Sequence, residues 1–161
     1  MNKLFLSILI GITVIFVILF FNHLNQIEVN DEPFICHAHD YTELDIDNKR
    51  IILNFDIDIV KEDDEKVEAI FNGTIKDGEI SYIISRKIFL ISEKTSFINT
   101  KKRTVFTEEL YSTDNLPSEL FYKYVFIRPS DASFYVERQN INDNSFLIKI
   151  LNRPYIICVM K

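Results

Sequence analysis

The sequence predicts a mainly β domain, an antiparallel sandwich or barrel, preceded by one transmembrane helix. Three observations lead there. An uncharged apolar run occupies Leu4 to Phe21, a period-two alternation sets in after it, and short turn-forming clusters then recur to the end of the chain. With 161 residues in all, the chain beyond the apolar run suffices for a single ordinary domain.

Residues 1–3 form a short cytoplasmic end. Leu4 to Phe21 carries only Ser7, Gly11 and Thr13 as small or polar interruptions, and at about 1.5 Å per residue it nearly matches a hydrocarbon layer of roughly 30 Å. A cleaved signal peptide is the competing reading. It is disfavoured because the run ends Leu19-Phe20-Phe21, with bulky aromatics where a peptidase needs small residues. Lys3 precedes the run, whereas Asn22 to Glu32 contains three acids and no Lys or Arg, so the remainder is expected outside the cytoplasm, in the periplasm. Residues 22–35 read as a tether and residues 36–161 as the exported domain. Beyond Phe21 seventeen Lys and Arg stand against twenty-four Asp and Glu, a net charge of −7 that argues against nucleic-acid binding.

Cys36 and Cys158 are the only cysteines, one at each end of the domain. An even count in an oxidising compartment reads as a disulfide, with two buried free thiols as the alternative. Closing so long a loop stabilises by up to about 5 kcal/mol in the chain-entropy view.

Along the domain, Ile51, Leu53, Phe55, Ile57 and Ile59 alternate with Ile52, Asn54, Asp56 and Asp58, the mark of a half-buried strand. Val67 to Ile75 and Ile80 to Ile91 read as a hairpin around Lys76-Asp77-Gly78-Glu79. Further β-rich runs are Thr104 to Tyr111, Phe121 to Ile127, Ser133 to Arg138, Ser145 to Leu151 and Tyr155 to Met160. Ser112 to Asn115, Pro129 to Asp131, Asn140 to Asn144 and Asn152 to Pro154 read as turns between them. Pro117 and Ser118 offer a start for a helical turn over residues 118–123, but Tyr122, Tyr124 and Val125 favour extension.

His37 and His39 flank Ala38 and would share one face of a strand, as ordinary surface histidines or as a pH-responsive pair. A metal needs three or four convergent ligands, which this segment does not supply, so no metal or other cofactor is expected. The acidic cluster of Asp56, Asp58 and residues 62–65 reads as solvation of a strand and its turn, and Lys101-Lys102-Arg103 as a solvated turn. Phe121, Tyr122, Tyr124, Phe126, Phe134 and Tyr135 are candidates for an apolar pocket or a partner-docking face, with plain core packing as the simpler reading. The sequence shows no Gly-x-Ser-x-Gly, no His-Glu-x-x-His and no nucleophile with a base beside it, so an enzyme is not expected.

Cys36-His37-Ala38 just past the tether, Phe71-Asn72-Gly73-Thr74-Ile75 leading to Ile84-Ser85-Arg86-Lys87-Ile88-Phe89, and the closing Pro154-Tyr155-Ile156-Ile157-Cys158 resemble the FidL-like and PsaF/MyfF-type membrane proteins, ToxS-like counterparts. The resemblance implies an accessory protein of a ToxR-type membrane-bound transcription activator. Its exported domain would bind the activator's, stabilise or activate it, and convey acidity, temperature or a bile-like ligand to virulence or fimbrial gene expression. It also implies a lipocalin-like barrel, complete or incomplete, shared between the partners. A periplasmic sensor of a small apolar molecule and an envelope assembly subunit are the alternative functions.

Overall fold

The computed structural model describes residues 11–17, 33–46, 49–63, 65–93, 100–126, 133–150 and 153–161. The chain divides into two compact units, Met1–Asp31 and Glu32–Lys161. In the first, residues 11–17 are helical; the rest of the run predicted to span a membrane lies outside the described residues. Among the described residues no helix is long and apolar enough to cross a membrane.

The second unit is built from eight strands: β1 (Phe34–Ile46), β2 (Lys49–Lys61), β3 (Lys66–Asp77), β4 (Ile80–Glu93), β5 (Thr100–Leu110), β6 (Ser133–Asn142), β7 (Ser145–Ile150) and β8 (Arg153–Met160). A helix, α1 (Ser118–Tyr124), lies between β5 and β6. Each strand pairs antiparallel with the next and β8 pairs back onto β1, so the sheet closes as a barrel. Of the sandwich and the barrel, the chain adopts the barrel. Its eight strands close the ring within one chain, where the resemblance implies a ring shared between partners.

Period-two alternation sends one side chain in two to the interior. Ile51, Leu53, Phe55, Ile57 and Ile59 of β2, Val67, Ala69, Phe71 and Ile75 of β3, and Ile84, Ile88 and Leu90 of β4 are all buried. The predicted hairpin forms, with Gly78 at φ +65° in its turn. Gly73 meets a different demand. A Cβ built there would lie 2.3 Å from the Asn54 carbonyl oxygen and 2.4 Å from the Phe55 Cα, so β2 and β3 press together too closely for any side chain.

Several boundaries differ from the sequence reading. Lys101, Lys102 and Arg103 lie within β5 rather than in a turn; Lys102 pairs with Glu93, and Arg103 is buried with its guanidinium on the Ser92 hydroxyl. Asn140 to Asn142 continue β6, leaving only Asp143 and Asn144 to turn, and Arg153 and Pro154 belong to β8. Residues 121–124 are helical rather than extended. Extended, that run would send Phe121 and Val125 one way and Tyr122, Tyr124 and Phe126 the other. Coiled, it buries Phe121, Val125 and Phe126 together, and this burial outweighs the β preference of the tyrosines. Glu119 in the first turn and Lys123 in the last complement the helix dipole.

The narrowest junction of the barrel is between its first and last strands. Only Cys36↔Met160 and His37↔Val159 are in register between β1 and β8, with one more backbone hydrogen bond from the Lys161 N–H to the Ile35 carbonyl at 3.1 Å. The Cys36–Cys158 disulfide spans this seam, Cα to Cα 5.5 Å, with both cysteines fully buried. A covalent link thus supports closure where the ladder is shortest. The double replacement Cys36→Ala with Cys158→Ala is expected to lower unfolding free energy by up to about 5 kcal/mol. Urea unfolding of the two proteins checks this, and an unchanged midpoint would show that the ladder alone closes the ring.

Candidate functional site

A charged side chain lies at full depth in the barrel. Arg86 falls in β4 between Ile84 and Ile88, on the inward parity, and is 0% exposed. Its guanidinium uses every edge. Nε donates to Asp114 Oδ2 at 2.8 Å, Nη2 to Asp114 Oδ1 at 2.5 Å and to the Leu116 carbonyl at 2.6 Å, and Nη1 to Glu108 Oε1 at 2.7 Å. The Phe121 ring covers one face, 4.3 Å from the guanidinium carbon. A buried charge survives only when it is paired and hydrogen-bonded, and here each guanidinium nitrogen has an acceptor.

These contacts draw the segment after β5 onto the barrel. The Asp114 carboxylate also accepts the Ser85 and Leu116 backbone N–H groups, and Asn115 Oδ1 accepts that of Ile83 at 2.6 Å. The turn at residues 112–115 therefore docks along the start of β4, and α1 follows it to the mouth of the barrel. There Phe121 meets Phe71 edge-on at 5.2 Å between ring centres, and Phe126 meets Phe71 at 5.8 Å and Phe134 at 5.5 Å. Tyr122 donates to Glu108 Oε2, and the Tyr155 hydroxyl donates to the Val125 carbonyl at 2.7 Å, securing the far end of the helix. Burial, with the charge of Asp40 second, pushes the Tyr155 phenol well above its ordinary range, so it remains a donor.

The six aromatic candidates are divided by this arrangement. Phe121, Phe126 and Phe134 are buried in the core, Tyr122 and Tyr124 pack partly against it, and Tyr135 is exposed on the outer wall. The first three fill space among one another. Of the six, only Tyr135 is exposed, at 44%.

The histidines are on the outer wall of β1, opposite the acids of β2. Register sets His37 against Asp58 and His39 against Asp56. His37 Nδ1 lies 3.0 Å from Asp58 Oδ1 and its Nε2 3.6 Å from Asp56 Oδ1, while His39 Nδ1 lies 2.8 Å from the same Asp56 oxygen. Lys161 Nζ joins at 2.8 Å from Asp58. The acidic strand face thus solvates β2 partly through this ladder. Partial burial works to raise the Asp58 carboxyl, but hydrogen bonds from Lys161 and His37 outweigh it and hold it below the usual range. Among the described residues no three His, Cys, Asp or Glu side chains form a group that could hold a metal ion.

Sequence reasoning placed the histidines and cysteines but missed Arg86, Glu108 and Asp114. A signal exists for the first: a charge that falls in register with Ile84 and Ile88 on a strand must enter the core. None marks its partners, which lie more than twenty residues on.

Two consequences can be measured. Arg86→Met leaves the Asp114 carboxylate buried and unpaired, and is expected to cost about 3–5 kcal/mol in urea unfolding. The amides of residues 111–126 should also lose hydrogen-exchange protection first. For Asp58, the folded pKa is depressed, so its contribution is present above the unfolded value of about 3.9 and is lost as pH falls through the folded pKa. Asp58→Asn is expected to cost no more than about 1 kcal/mol at neutral pH, and the difference from the parent should fade in paired melts as pH falls through the depressed folded pKa. In comparisons with known proteins, no family model and no curated protein matches the chain.

Proposed function

We propose that this protein is a membrane-anchored accessory regulator, whose barrel binds the exported domain of a ToxR-type transcription activator and stabilises it or promotes its active assembly. The observation that carries the reading is an apolar strip on the outer wall beside the closure seam. Ile35 is 49% exposed, Ile157 58% and Val159 48%, on two neighbouring strands and next to His37 and Lys161. A folded domain gains by covering such side chains with a partner. Binding the activator's native form stabilises it by mass action and reduces its exposure to proteases.

The resemblance supplies the partner's identity, and the uncharged run from Leu4 to Phe21 supplies the anchor, retained in the inner membrane with the amino terminus in the cytoplasm. In this reading the role is binding, not catalysis. The deficit of positive charge leaves DNA contact to the activator. The histidine ladder, with His37 on Asp58 at 3.0 Å and His39 on Asp56 at 2.8 Å, is the feature on which acidity would act.

Deleting the protein should shorten the activator's half-life in a protease chase, and Ile157→Asp with Val159→Asp should reproduce that loss while the purified barrel still unfolds cooperatively. Unchanged activator abundance together with unchanged promoter output would reject the proposal.

A further inference from the structure

We propose that the Cys36–Cys158 disulfide is a redox latch on the outer apolar strip: reducing it opens the barrel between β1 and β8 and parts Ile35 from Ile157 and Val159. The inference rests on the reading of that strip as the partner surface and adds what regulates it. The strip is composite. Ile35 precedes Cys36 on β1, whereas Ile157 and Val159 flank Cys158 on β8. Whatever sets the separation of the two cysteines, Cα to Cα 5.5 Å, therefore also sets the spacing of the strip's two halves.

The strands on either side of the seam are held unequally. β1 is in register with β2 along its whole length, from Phe34↔Lys61 to Ile46↔Lys49, and β8 with β7 from Ser145↔Val159 to Ile150↔Arg153. β1 and β8 are in register with each other only at Cys36↔Met160 and His37↔Val159. The Lys161 N–H donates across the seam to Ile35, whereas the Met160 N–H turns away to the Asn144 carbonyl at 2.9 Å, so strand alternation sends the His37 and Val159 amides across it too. Besides the ladder, the Lys161 ammonium reaches over β1 to Asp58 at 2.8 Å, and the Phe34 ring meets Phe146 edge-on at 5.1 Å. Loss of the covalent tie thus acts on the shortest ladder of the ring, while each strand keeps its other neighbour. The reductant is a dithiol. One of its thiolates attacks a sulfur of the pair, the other cysteine leaves as a thiolate, and the second thiol of the reductant then displaces the first. The S–S bond passes to the reductant, and its two thiol protons end on Cys36 and Cys158. Both cysteines are fully buried, so attack waits on opening of the seam, and reduction then keeps the seam open.

The test compares the oxidised full-length chain, nitrogen-15 labelled in non-ionic detergent micelles, with the same chain in dithiothreitol and with the double variant Cys36→Ala, Cys158→Ala. In both bridge-free forms the His37, Val159 and Lys161 amides are expected to exchange at least about tenfold faster than the ladder amides between β2 and β3, and in the oxidised chain to be protected along with them. Seam amides as slow as those of β2 and β3 in both bridge-free forms, or loss of protection throughout the barrel, would overturn the latch. In cells, the alanine pair is expected to shorten the activator's half-life as far as Ile157→Asp with Val159→Asp does. A half-life shortened by the aspartates alone overturns the regulation; one unchanged by either pair overturns the partner reading itself, which the exchange measurement does not touch.

Discussion

The barrel interior is organised around a positive charge that has no access to water. Arg86 is tolerated there because two carboxylates, a carbonyl and an aromatic face surround it, and three of those four contacts come from residues 114–121. The requirement runs in both directions. The arginine needs the segment to neutralise it, and the segment, which has no strand ladder of its own, needs the arginine to hold it on the barrel. A helix of seven residues is far too short to persist in water by propensity. It persists here because its aromatic side chains enter a mouth that the ion cluster has already positioned. The aromatic set of Phe71, Phe121, Phe126 and Phe134 is therefore a consequence of the charge pairing as much as of hydrophobic burial.

At the opposite extreme of sequence separation, the first and last strands meet over two registered pairs and a disulfide. A barrel removes the exposed edges that make open sheets sticky, but only if its last strand finds its first. The covalent bond lowers the cost of that encounter, which is among the most non-local in the chain. Closure of this ring is best supported where thiols are oxidised.

Inside and outside of the wall carry different chemistry on alternate residues of the same strands. On β1 the cysteine at position 36 is sealed within while the histidine at 37 meets Asp58 and, through it, the terminal lysine. On β8 Ile156 and Cys158 fill the interior while Ile157 and Val159 stand out of it. The interior is thereby committed to packing near α1, and the proposed partner surface lies on the outer wall.

The alternation in β2, the hairpin around Gly78 and most later strands were legible in the sequence because period-two patterning and turn chemistry are local. So was the pairing of Cys36 with Cys158, since only two cysteines exist to pair. The histidines were readable as a same-face pair, but their acidic partners depended on the β1–β2 register. Sandwich or barrel was undecided, because local patterning does not say whether the last strand returns to the first. Residues 121–124 were misread for a related reason: their intrinsic preference is extended, and only the barrel mouth, assembled from distant strands, makes the helix the better way to bury Phe121 and Val125. Lys101 to Arg103 were misread because a run of charge looks solvated until a neighbouring strand provides Glu93 and Ser92. By itself, then, the sequence determined most of the strands after β1, their faces and the staple, all set by neighbours a few residues apart or by the lack of any other cysteine. Tertiary structure decided closure, the helix at residues 118–124 and the pairing of Arg86, because each depends on groups brought together from far along the chain.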